Sequence, residues 1–136
     1  YKLTHHGQTE QQSSSGVIVA TGAGSTGWLS SVMNMASGVH HAFGNEREAS
    51  SLNFKLPWDT NELAYVVREP FRSKYSGITL TAGVFGDNDK LIIESQMPAH
   101  GIVFSDGIES DFLQFNSGSK LEIGIADQKA RLLKSE

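Results

Sequence analysis

Ser15-Gly16-Val17-Ile18-Val19-Ala20-Thr21-Gly22-Ala23-Gly24-Ser25-Thr26-Gly27-Trp28 decides how this chain is read. Val17, Ile18, Val19 and Ala20 form an apolar run that predicts a strand, and the turn that follows contains only Gly, Ala, Ser and Thr. Beyond the turn, Trp28, Leu29, Val32, Met33, Ala36 and Val39 recur at the spacing of one helix face. A strand that feeds a helix through a bend with so little side-chain bulk lets a ligand press on backbone amides at the positive helix end. Thr21, Ser25 and Thr26 add hydroxyls to that bend. Two readings stay open here: a binding loop for a nucleotide-like molecule, or a permissive turn. Ser25 or Thr26 is the expected helix N-cap, and Gly38 or Gly44 marks its end.

Size and composition narrow the field. The 136 residues suit one compact domain with a core of its own. A formal net charge of -4 argues against a protein that clamps nucleic-acid backbone, which would be strongly basic. With no cysteine there is no disulfide framework, no zinc-thiolate site and no thiol nucleophile. No apolar run approaches the roughly 20 residues that span a bilayer, and no signal-peptide pattern is visible. The chain opens at Tyr1 rather than Met, so a piece of a longer protein is expected.

Around the opening stretch the pattern is that of short strands. Tyr1 to Leu3 suits a strand, and residues 5–15 a loop or hairpin arm. Residues 45–61 are polar and include Pro57, which predicts a surface excursion. Ile78, Leu80, Ala82 and Val84 then alternate with small or polar residues, the period of a half-buried strand. Gly86-Asp87-Asn88-Asp89 predicts a turn into a returning strand at Leu91, Ile92 and Ile93. Ile102-Val103-Phe104 leads to Asp106-Gly107, a two-residue hairpin signal, with Phe112, Leu113 and Phe115 on the next strand. Leu121, Ile123 and Ile125 alternate on the last one. The expected fold is mainly β: an antiparallel sandwich of hairpins with one strand-turn-helix insertion, over residues 1–136.

Residues 22–27 match G-x-G-x-x-G, but a doubly wound dinucleotide fold needs a second parallel strand after the helix, and residues 45–53 offer none. No Lys follows the glycines as in a phosphate-binding P-loop, and Ser25 lacks the G-x-S-x-G setting of a nucleophile elbow. The histidine pairs His5-His6 and His40-His41 point to different sides of an element, so surface or helix-end roles are expected and no metal site. Arg68, Arg72 and Lys74 make the one compact basic stretch, which either faces ligand phosphate or is a solvated loop with a weak Glu69 pair. Asp106-Gly107 either simply turns a hairpin or presents a carboxylate to a ligand.

Taken together, these residues resemble the C-terminal domain of NAD kinases. That family's motif is similar to D-G-l-i-v-s-T-P-T-G-S-T-A-Y, and here the stretch reads S-G-V-I-V-A-T-G-A-G-S-T-G-W. The mitochondrial type of NAD kinase is similar also in its Ser-Ser-Gly, its Thr-Gly-x-Gly-Ser turn and its Arg-Glu-Pro, here Arg68-Glu69-Pro70. The resemblance implies a β-sandwich domain that holds NAD while ATP or polyphosphate, with magnesium, phosphorylates the adenosine-ribose 2′-hydroxyl to give NADP. It implies NAD contacts at Thr21, Gly24, Ser25, Thr26, Gly27, Trp28 and Asp106. Catalytic and metal residues are expected outside this chain, because the family's general base lies in a Gly-Gly-Asp-Gly-Thr motif of an N-terminal domain and no such motif is present here.

Ser15 stands at the family's Asp, Gly22 at its Pro and Glu109 where many members carry Gln. The first weakens a substrate contact and the second loosens the turn. The further expectations are a homodimer or higher homo-oligomer, a missing N-terminal domain, no nucleic-acid or membrane partner, and a cytoplasmic or mitochondrial-matrix location. Two alternatives accompany this reading: another kinase of the superfamily, of lipid or diacylglycerol type, and a non-catalytic nucleotide-binding module.

Overall fold

The structure, a computed structural model, describes residues 1–44, 54–105, 108 and 110–130. Its strands are β1 (Lys2–His5), β2 (Gln8–Gln11), β3 (Gly16–Ala20), β4 (Glu62–Arg68), β5 (Ala82–Gly86), β6 (Leu91–Glu94), β7 (Ile102–Phe104), β8 (Phe112–Gln114) and β9 (Lys120–Ile123). One helix, α1 (Trp28–Phe43), follows a single 3-10 turn at Gly24–Thr26. The described strands pair antiparallel throughout, as β2-β1-β6-β9, β3-β4-β5 and β7-β8. The described residues are therefore mainly β with one helix, and among them the β–α–β reading of the glycine motif has no parallel pair to support it.

Alternation along β3, β4 and β5 explains how the layers stack. Val17, Val19, Leu63, Tyr65, Val67 and Phe85 join Leu3, Leu91 and Ile93 of the four-stranded sheet in one core. Ile18, Ala20, Ala64, Val66 and Val84 turn the other way and meet Leu29, Val32 and Met33 of α1 together with Phe54 and Leu56. The three-stranded sheet is thus buried on both faces, between a helix and a second sheet. Only the first half of α1 docks on it. Further along, Met35, Val39 and Phe43 are exposed.

Several local expectations change. β4 had no period-two signal, because a strand covered on both faces reads as a continuous apolar run, here residues 63–67. The alternation from Ile78 predicts a strand that in fact begins at Ala82. Thr79 and Leu80 instead give their amides to the Glu10 carboxylate at 3.0 and 2.9 Å. β6 does not return along β5; after the turn that Asp89 N–H closes on Gly86 O, it crosses to the other sheet and pairs with β1 and β9. Phe104 pairs with Phe112 at the end of the β7–β8 register, and the Asp106-Gly107 turn signal between them lies outside the described residues. The tight hairpin is β1–β2, where His6 and Gly7 both take positive φ, 48° and 74°.

Residues 45–53 of the expected excursion lie outside the described residues, and the remainder returns to the fold through buried Leu56. His5 is also buried rather than on the surface. Burial, then the neighbouring His6, lowers its pKa, and its Nδ1 sits 3.3 Å from the Tyr65 hydroxyl.

Candidate functional site

The bend after β3 folds on itself. Thr21 Oγ1 accepts the Gly24 N–H at 3.1 Å, and Thr21 O accepts the Ser25 N–H at 2.8 Å. Gly24 O takes the Gly27 N–H at 3.0 Å. Ser25 is 0% exposed and donates its hydroxyl to Gly22 O at 2.7 Å. Thr26 donates to Ala23 O at 3.2 Å. The expected open amides are therefore in part already engaged: Gly24, Ser25 and Gly27 give theirs inside the loop. Ser25 holds the bend from beneath and presents no hydroxyl to the outside.

Neither Ser25 nor Thr26 caps the helix. Gly27 occupies the N-cap position with no side-chain hydrogen bond, because the 3-10 turn spends both hydroxyls before α1 starts. Ser30 closes the junction by donating to Thr26 O and Gly27 O at 3.0 and 2.8 Å. No acidic residue sits in the first turn of α1, so its positive end keeps its field. At the other end Gly44 is the C-cap, its N–H bonded to His40 O at 2.7 Å, while Gly38 lies within the helix.

One side of the bend is covered and one is open. Gly22 is buried beneath the 57–58 segment, where a Cβ would run into the Pro57 carbonyl. That close approach, rather than a looser turn, accounts for glycine here. Thr21, Ala23, Gly24, Thr26 and Gly27 are exposed on the other side. Trp28 follows directly, 49% exposed.

Two residues from elsewhere complete the rim. The Arg68 guanidinium carbon, from the last position of β4, lies 4.8 Å from the Trp28 ring centroid. Phe104 of β7 stands 6.4 Å from Trp28, centroid to centroid, with the rings tilted by 39°. Arg68 is thus neither a loop residue nor simply solvated. Phe104 carried no signal in the sequence, since only the pairing of distant strands brings it to Trp28. Asp106, expected to contact the ligand, and Glu109 lie outside the described residues.

Of the expected contacts, the structure gathers Thr21, Gly24, Thr26, Gly27 and Trp28 on one exposed surface. Such a surface offers hydroxyls, a helix N-terminus, an indole face and a guanidinium, which suits a ligand that is both planar and anionic. No group of three His, Asp or Glu residues able to hold a metal is found among the described residues. No helix of the described residues is long and apolar enough to cross a membrane. Searches with this chain find no matching family model, no matching curated protein and no matching solved structure.

Proposed function

We propose that this chain is the dinucleotide-holding part of an NAD kinase-like phosphotransferase, with the fold of that family's C-terminal domain. The observation that carries this reading is the strand–bend–helix unit of residues 16–43, set on antiparallel sheets with its outer face open and Trp28 at its rim. It is the same stretch on which the sequence resemblance rests.

In the proposed reaction the adenosine-ribose 2′-oxygen of NAD attacks the terminal phosphorus of ATP or polyphosphate. The bond from that phosphorus to its bridging oxygen breaks, and the 2′-hydroxyl proton passes to a base. Transfer of this kind depends on positioning and charge stabilisation more than on covalent chemistry by the protein. Fixing the acceptor removes entropy from the barrier, an effect worth up to about 7–11 kcal/mol in well-oriented systems. This chain supplies that share: Trp28 a flat apolar face, Thr21 and Thr26 hydroxyls, and the start of α1 a positive field. Magnesium would screen charge on the donor phosphates, and the described residues at the bend include no carboxylate set to hold it.

On the same reading the base and the donor site come from an upstream domain. The protein then works as a homodimer in the cytoplasm or mitochondrial matrix. The test is a 2′-phosphorylation assay on the complete polypeptide with NAD and either ATP or polyphosphate, in which NADP is the expected product. NAD binding without NADP formation from either donor would leave a non-catalytic binding module. Failure to bind NAD at all would remove the reading.

A further inference from the structure

We infer that Arg68 is a specificity-determining residue, gripping a phosphate or diphosphate group of a ligand whose planar ring lies against Trp28. The inference deepens the dinucleotide reading and rests on it.

Arg68 ends the central strand of the three-stranded sheet, and its position is closely fixed. Its Cα lies opposite Gly16, and its carbonyl accepts the Ser15 N–H at 3.0 Å, so its backbone is fixed against β3. Immediately after it, Glu69 adopts the left-handed region with φ 43° and Pro70 follows, which turns the chain off the strand. The side chain then lies over the Trp28 indole, 4.8 Å from its centroid, on the first residue of α1. The guanidinium is thereby held beside the exposed bend.

Among the described residues the guanidinium has no hydrogen-bond acceptor. A guanidinium carries five N–H donors in a planar fork. Among the described residues its one carboxylate neighbour is Glu69, 3.6 Å away and beyond hydrogen-bond distance. Glu69 itself is more than half exposed, so water screens even that attraction. The Arg68 side chain is only 30% exposed, so most of its surface packs against the protein, and no hydrogen bond to a described residue takes its edge donors. Stacking on an indole leaves those edges available, and their geometry matches phosphate oxygens bidentately. The acid-free first turn of α1 favours the same sign of charge. Since the bend uses the amides of Gly24, Ser25 and Gly27 internally, the anion must find its strongest donors elsewhere, and Arg68 offers them.

The test is calorimetric titration of NAD into the full chain and into its Arg68→Ala and Arg68→Lys variants, at low and high salt, with thermal unfolding confirming that each variant folds. Arg68→Ala is expected to weaken NAD binding at least about tenfold and to remove most of its salt dependence. Arg68→Lys keeps the charge without the fork, so it should retain the salt dependence at reduced affinity. It also answers the question if Arg68→Ala does not fold. Unchanged affinity overturns the inference while the dinucleotide reading stands. An affinity that falls with its salt dependence intact also overturns it, since Arg68 would then only prop Trp28. Wild-type protein that binds no NAD removes both.

Discussion

Gly22→Ala and Gly38→Ala make the same chemical change at two places, and the structure predicts opposite signs. At Gly22 the new methyl would collide with the carbonyl of Pro57 and crowd the Trp58 Cα. Both obstacles are backbone, so relief requires moving the segment that seats Leu56, 6% exposed, in the core beneath α1. Overpacking of that kind costs about 1–3 kcal/mol. Removing a glycine also restrains the unfolded chain, which returns about 0.4–1 kcal/mol. The net expectation is a loss of up to about 2.5 kcal/mol, toward the upper end because both obstacles are backbone. At Gly38, within α1, a Cβ meets nothing within 4 Å. There the helical preference of alanine should raise stability by about 0.5–1 kcal/mol. Urea unfolding followed by circular dichroism measures both, provided the transition slope is unchanged. If Gly22→Ala is as stable as wild type, the Pro57 segment does not cover the bend and the account of that loop is wrong.

Other perturbations follow from the same contacts. Leu29, 1% exposed, ties the helix to β3 and β4; Leu29→Ala should cost about 2.5–5 kcal/mol in the same assay, and a loss below 1 kcal/mol would mean the helix is held otherwise. The Glu10 carboxyl is pushed up by burial, but hydrogen bonds from Gln12 and the Leu80 and Thr79 amides outweigh this and hold it below its ordinary value. Its contribution is therefore present above the unfolded-chain value of about 4.3 and lost as pH falls through the lower folded value. The stability gap between wild type and Glu10→Gln should shrink progressively as pH falls below the unfolded-chain value of about 4.3, and a gap constant with pH would contradict the clip. Trp28→Ala should weaken NAD binding and leave the unfolding midpoint nearly unchanged, since Trp28 is half exposed; calorimetry beside a melting curve decides it.

What could be read from the sequence was whatever depends on neighbours along the chain. The strand at residues 16–20, the helix from Trp28 and the turn at residues 86–89 all arise from local periodicity and small-residue signals. What could not be read depends on distant partners. β4 hides because it is covered on both faces, so its apolar residues do not alternate. Thr79 and Leu80 look like strand, yet the carboxylate of Glu10, far away in sequence, takes their amides. At the site, the exposed bend with Trp28 was legible. The burial of Ser25, the cover supplied by Pro57, and the meeting of Arg68 and Phe104 with Trp28 were not, because each is set by tertiary packing.

The central claim, that a planar anionic dinucleotide seats on the open side of the bend, is tested most directly by titrating NAD into isotopically labelled chain and following every backbone amide. Saturable shifts should concentrate on residues 21–28 and at Arg68, with the β2–β1–β6–β9 sheet unmoved. Shifts centred on that sheet, or none at millimolar NAD, would contradict it.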